Sequence, residues 1–190
     1  NVTPYIDHIA AGVIDFVEQD FAKPEIKNQI TSAGLATPGG GLPMLLDPDN
    51  LRLQLVNTTH GLFDTLMPGG RVTVDPPALI PIGLDHITVS VTDLEKSAAH
   101  YRKLFGPELS REKNPQRVWF KLADTKLALE AVPSGQKPGF SHYCVKVAGF
   151  DRTAATAKLR KLGLKPETGL EKGTLQFRDL YNLPVEVIAG

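Results

Sequence analysis

Leu84-Asp85-His86-Ile87-Thr88-Val89-Ser90-Val91-Thr92-Asp93-Leu94 reads as a strand that runs into the start of a helix. Side chains alternate along a strand, so His86, Thr88 and Ser90 share one face while Ile87, Val89 and Val91 share the other. The strand runs into Thr92-Asp93-Leu94-Glu95, which has capping-box spacing. Leu94, Ala98, Tyr101 and Phe105 then fall on one face of a helix that Gly106 stops. Strands follow at Arg117-Val118-Trp119-Phe120-Lys121-Leu122 and at 126–132.

The same plan returns downstream. Phe140-Ser141-His142-Tyr143-Cys144-Val145-Lys146-Val147 is again a strand with histidine at its third position, and Phe150 to Leu162 is a helix ended by Gly163. Its last turn carries Lys158, Arg160 and Lys161, where cations favour the helix dipole. Residues 174–178 and 183–188 close the unit as strands. A third copy precedes both: Tyr5-Ile6-Asp7-His8-Ile9-Ala10 is a strand, Pro24 to Ser32 a helix, and 47–56 a closing segment in which Gln54 falls where Glu186 stands. The Gly39-Gly40-Gly41 run lacks the Lys-Ser/Thr of a phosphate loop and reads as a turn.

The expected division is therefore 1–60 as a single module, half of a degenerate first domain, 61–83 as a linker rich in proline and glycine, and 84–190 as a two-module domain split into 84–133 and 138–190. Charge divides along similar lines. Residues 1–80 hold four basic and nine acidic side chains, and residues 81–190 hold seventeen and twelve. The balance of 21 basic and 21 acidic residues overall gives no electrostatic reason to expect nucleic acid or an anionic membrane as a partner. No apolar run approaches the ~20 residues of a membrane-spanning helix. The one cysteine, Cys144, excludes an intrachain disulfide and a multi-cysteine zinc site. The chain opens at Asn1 rather than methionine, so an upstream segment is expected to have been removed or left out. Both a cytoplasmic location and export after signal removal fit.

Each post-linker module pairs an early histidine with a late glutamate, His86 with Glu130 and His142 with Glu186, both 44 residues apart. Strand parity puts all four on the face away from the helices, and a carboxylate inside an apolar strand is costly unless ionically compensated. Two imidazoles and two carboxylates suit one divalent ion, Zn, Ni, Fe, Mn or Co. Arg117, Trp119, Lys121, Lys146 and Gln176, with Thr88 and Cys144, are candidates to face the same cleft as substrate-binding residues. The basic ones among them suit an anionic group on a small-molecule substrate.

The pattern resembles the vicinal-oxygen-chelate superfamily of glyoxalase I, extradiol dioxygenases, methylmalonyl-CoA epimerase and the fosfomycin- and bleomycin-resistance proteins. The resemblance is carried by Leu84 to Leu94, by Tyr101-Arg102-Lys103-Leu104-Phe105-Gly106, and by Phe177-Arg178-Asp179 through Val185-Glu186-Val187. It implies an α+β fold of paired βαβββ modules, three of them visible, forming a curled mixed sheet around a metal cleft. It also implies His86, Glu130, His142 and Glu186 as ligands, with Glu130 and Glu186 as catalytic residues. The favoured activity is a glyoxalase-like lyase or isomerase acting on vicinal oxygens. The alternatives are an extradiol-type dioxygenase, which would need only His86, His142 and Glu186, and a metal-free resistance-type binding protein. Two features count against the dioxygenase: no histidine follows His142 to act as acid or base, and Glu130 offers a fourth ligand. His8 and Gln54 match ligand positions in a module that lacks its pair. That module is expected to seek a partner: an upstream module, the metal domain, or a second copy in a homodimer.

Overall fold

The computed structural model describes residues 5–13, 17–39, 43–57 and 77–190. Gly40-Gly41 and residues 61–76 of the expected linker lie outside them. Strand β1 (His8–Val13), a 3-10 turn (Glu18–Ala22), helix α1 (Pro24–Ser32), β2 (Met44–Leu46) and β3 (Arg52–Asn57) build a small sheet of order β1-β3-β2. Next come β4 (Pro81–Val91), α2 (Leu94–Phe105), β5 (Ser110–Lys113), β6 (Gln116–Leu122) and β7 (Thr125–Ala131). The chain closes with β8 (Gly139–Val147), α3 (Arg152–Lys161), β9 (Glu167–Thr168), β10 (Leu175–Arg178) and β11 (Pro184–Ala189). The protein is α+β, with a large mixed sheet of order β5-β6-β7-β4-β8-β11-β10-β9.

The connections repeat. β4 pairs in parallel with β7, and β8 with β11, each crossover carrying a helix, while β4 and β8 meet antiparallel at the centre. In the small sheet β1 pairs in parallel with β3, and β3 antiparallel with β2, the same order with one strand fewer. β4 begins at Pro81, inside the stretch expected as linker; proline is tolerated at a strand's first residue, where no ladder N–H is needed. The expected curling of the sheet around a cleft does not close it. β5 and β9 lie at opposite ends and do not pair, and strands of four and two residues offer little backbone for doing so.

Alternation puts the apolar residues where the pattern demands. Val89, Val91, Val118, Phe120, Leu127 and Leu129 are buried with Ala98 and Tyr101 of α2, and Ile9, Phe21, Leu45 and Leu53 belong to the same core. The small sheet thus packs its apolar side against α2 and the large sheet, where the Tyr101 hydroxyl also donates to Asp47 at 3.2 Å. Beneath α3 a second core holds Val147, Ala155, Leu159, Leu175 and Val187.

The cap of α2 differs from the expected box. Asp93, not Thr92, is the N-cap, accepting from the Lys96 N–H at 3.0 Å. Thr92 spends its own N–H and hydroxyl on the Asp49 carboxylate, a stronger acceptor brought in by the first unit. α3 is capped by Asp151 and ends at Gly163 (φ 80°), beyond which the Leu164 N–H returns to the Leu159 carbonyl at 3.1 Å. No helix among the described residues is long and apolar enough to cross a membrane.

Candidate metal centre

The central strands bring two histidines together. In the β4/β8 ladder His86 stands opposite Cys144 and Thr88 opposite His142, so the imidazoles sit diagonally across the pair on one face. Their Nε2 atoms are 3.3 Å apart. β11 lies beside β8 with Glu186 opposite Cys144, which puts its Oε2 4.0 Å from His86 Nε2. His86, His142 and Glu186 are 1%, 1% and 0% exposed, and each offers a ligand atom within 4.8 Å of the other two.

Hydrogen bonds orient this trio. The Asp85 carboxylate accepts from His86 Nδ1 at 2.9 Å, which turns the Nε2 lone pair inward; burial works to raise the Asp85 carboxyl, but His86 and Lys126 outweigh it and hold it below the usual range. His142 has Ser141 Oγ 3.2 Å from Nδ1 and Thr88 Oγ1 3.2 Å from Nε2. Burial, then the neighbouring His86 and Arg117, pulls the His142 imidazole down to about 4, so at neutral pH it is uncharged and free to donate a lone pair. Glu186 Oε1 accepts from the Leu170 N–H at 2.6 Å. Its Oε2 is buried and has no hydrogen-bond partner among the described residues. A buried carboxylate oxygen left unsatisfied is costly, and a divalent cation held between it and two inward-turned imidazoles would relieve that cost. The donor set therefore fits a metal.

Glu130 is elsewhere. Ser90, not His86, is its partner in the β4/β7 register, which sets it about 13 Å along the strand from the His86 level at ~3.3 Å per residue. Directly opposite on β6 is Arg117, whose Nε and Nη2 donate to Glu130 Oε2 at 3.2 and 2.8 Å. The place that corresponds to Glu186 can be read from the ladders. Two residues after His142, Cys144 faces Glu186; two residues after His86, Thr88 faces Ala128. The first half carries a methyl group where the second carries its carboxylate.

Of the expected substrate-side residues, Thr88 reaches His142, and the Trp119 ring meets His86 edge-on at 5.4 Å. Cys144 is buried between Asp85, His86 and Glu186, and burial, then the Glu186 charge, pushes its thiol up to about 12, which rules it out as a nucleophile at neutral pH. Lys146 gives its ammonium to the Asp124 carbonyl at 2.8 Å, Lys121 is exposed, and Gln176 pairs in register with Glu186 on the far strand β10. Sequence reasoning missed Asp85, Ser141 and the loop 169–174. The one available signal was the hydrogen-bonding residue that precedes each histidine, repeated in Asp7-His8, whose Asp7 carboxylate lies 3.1 Å from His8 Nδ1. Replacing Asp85 with asparagine is expected to weaken metal binding by about 10- to 100-fold, the usual cost of losing a carboxylate behind a ligating imidazole, as measured by competition with a chelator.

The chain belongs to the Glyoxalase/Bleomycin resistance protein/Dioxygenase superfamily, whose sequence profile matches residues 83–180. Among solved structures it is similar to a catechol 2,3-dioxygenase (18% identity, TM-score 0.61), over 99% of this chain and 74% of that one. It is also similar to methylmalonyl-CoA epimerase from Mycobacterium tuberculosis (16%, TM-score 0.48, 63% of this chain and 93% of that one). A further match is homoprotocatechuate 2,3-dioxygenase from Arthrobacter globiformis (21%, TM-score 0.48, 60% and 37%). At 18% identity the likeness to the catechol 2,3-dioxygenase is one of fold alone.

Proposed function

We propose that the chain is a divalent-metal enzyme that holds its ion on His86, His142 and Glu186 and acts on a small molecule chelated through vicinal oxygens. The observation that carries this reading is the orphaned Glu186 Oε2, buried 4.0 Å from His86 Nε2. It also argues against a metal-free, resistance-type role, in which nothing would compensate that oxygen. When bound, the ion supplies a Lewis acid that draws off negative charge developing on the substrate oxygens. The chain's own residues do the rest. Asp85 and Ser141 hold the imidazoles in register, Leu170 N–H fixes one Glu186 oxygen so that the other points inward, and Trp119 walls the His86 side.

Within that class the geometry favours extradiol-type oxygenation over the glyoxalase-like chemistry. Two histidines and one carboxylate with open positions are the ligand set of non-haem iron oxygenases, and the fourth ligand of a glyoxalase-like site has no counterpart at Ala128. A specific feature keeps lyase or isomerase chemistry as the second reading. The carboxylates of Glu130 and Glu171 both lie on Arg117, whose guanidinium sits 5.4 Å from the Trp119 ring that meets His86, while no third imidazole joins the His86/His142 cluster among the described residues. Residues 84–133 and 138–190 then act as the two modules of the metal unit. Residues 1–60 are a reduced third module in which Gln54, opposite Ala10, takes the register of Glu186.

Metal analysis of the purified chain, followed by assays on a catechol under air and on a hemithioacetal, tests the reading. Iron uptake with catechol consumption supports the first reading, and hemithioacetal turnover supports the second. Absence of any stoichiometric ion after reconstitution overturns both. Glu130→Gln separates the ligand sets. Metal stoichiometry is expected to be unchanged, while unfolding free energy falls by about 1.5–3 kcal/mol from the weakened charge-assisted bonds to buried Arg117. A loss of metal in that variant would restore Glu130 as a ligand.

A further inference from the structure

Arg117 is 3% exposed and carries more negative charge than it needs. Glu130, fixed opposite it in the ladder, takes Nε and Nη2. Glu171 takes Nη1, and Glu112 Oε2 stands 3.6 Å away. One carboxylate would neutralise the guanidinium, yet three surround it.

Glu171 is the partner that differs in kind. It comes from the loop 169–174, in the other half of the sheet, whose tip folds on itself through Thr174 N–H and Oγ1 to the Glu171 carbonyl at 3.1 and 2.7 Å. The same loop sits on the centre. Leu170 N–H holds Glu186, and a Cβ at Gly169 would lie 2.0 Å from Thr174 Oγ1 and 3.0 Å from Glu186 Oε1. Glu171 therefore delivers a carboxylate to a buried guanidinium whose Cζ lies 5.4 Å from the Trp119 ring, the ring that meets His86 edge-on. The Trp119 indole thus lies beside both Arg117 and the ligand candidate His86.

We propose that Arg117 is the anchor for a carboxylate carried by the substrate, and that Glu171 occupies that place until the substrate displaces it. The substrate class is then a vicinal-oxygen compound bearing a carboxylate about one ring's width from its chelating oxygens. The vicinal-oxygen half of that description rests on the metal-centre reading, whereas the carboxylate contact stands on Arg117 alone. Displacement trades one carboxylate for another on the same fork, so the guanidinium is never left buried and unpaired. It also frees the loop from the first half of the sheet.

Trp119 is the chain's single tryptophan and stacks beside Arg117, so its fluorescence reports the subsite. The whole chain, metal-loaded and chelator-treated, is titrated with propionate and with its neutral isostere propionamide. Propionate is expected to give a saturable Trp119 response in both forms, and propionamide none. Glu171→Gln removes the resident charge and should tighten propionate about tenfold. Arg117→Lys, which keeps a cation for Glu130, should abolish the difference between the two probes. Propionate binding no better than propionamide in folded Glu171→Gln protein overturns the proposal, and that arm decides the matter even if the Arg117 variant does not fold. Metal analysis of the same chain after reconstitution separates the two readings. A propionate response in a chain that takes up no stoichiometric ion sinks the metal centre and leaves the Arg117 subsite standing, and stoichiometric uptake without a propionate response sinks the subsite alone.

Discussion

Glu186→Gln is expected to abolish stoichiometric metal uptake and, in the same molecule, to stabilise the metal-free fold by about 1–3 kcal/mol. The two effects have one origin. Oε2 of Glu186 is buried without a hydrogen-bond partner among the described residues, while Oε1 is held by Leu170 N–H. Glutamine keeps an acceptor for Leu170 and puts a neutral NH2 group where the orphaned oxygen was, 4.0 Å from His86 Nε2. The penalty of an uncompensated buried oxygen disappears, and so does the negative ligand a cation needs. Denaturant unfolding in excess chelator measures the first effect, and metal analysis after reconstitution the second. His142→Ala, which removes a neutral ligand and its bond to Thr88, should lose metal without the gain in stability. Undiminished uptake in either variant would end the assignment of the centre.

Phe120→Ala should produce the opposite pairing, a large loss of stability with the centre unchanged. Phe120 is fully buried beneath α2, 6.4 Å from Tyr101 by ring centroids, and truncating an aromatic ring in such a core costs about 3–5 kcal/mol. Its neighbours on β6, Trp119 and Arg117, point to the other face, toward His86 and Glu130. Unfolding should therefore shift to much lower denaturant, while metal affinity measured well below the transition stays within about threefold of the parent, as expected for sites without shared partners. A collapse of metal affinity in folded Phe120→Ala protein would mean that the two faces of the sheet are not independent.

Much of this was legible from residue order. Alternation alone puts Val89 and Val91 on the helix side, and His86, His142 and Glu186 on the other. The extents of α1 and of β8 were readable within a residue or so from Pro24, Gly34 and the run 140–147. Thr92 misled because its hydroxyl was assigned to a local cap, while the folded chain offered it the Asp49 carboxylate of a distant loop. Asp85 went unassigned because its role exists only once His86 is turned into the centre.

Glu130 lies where residue order stops constraining the fold and long-range strand pairing takes over. Local order determines which face a strand residue occupies, since slipping a strand by one residue would expose its whole apolar set, and the hydrophobic pattern forbids that. A slip by two residues keeps every face and leaves the pattern unchanged. The equal 44-residue spacing of His86–Glu130 and His142–Glu186 therefore looked like two copies of one site. The ladders differ by that silent step of two, and it is the pairing of strands far apart in sequence that moves Glu130 onto Arg117 and leaves Ala128 across from Thr88. Side-chain chemistry and parity chose the candidates, and strand register, set by long-range hydrogen bonds, chose which of them meet.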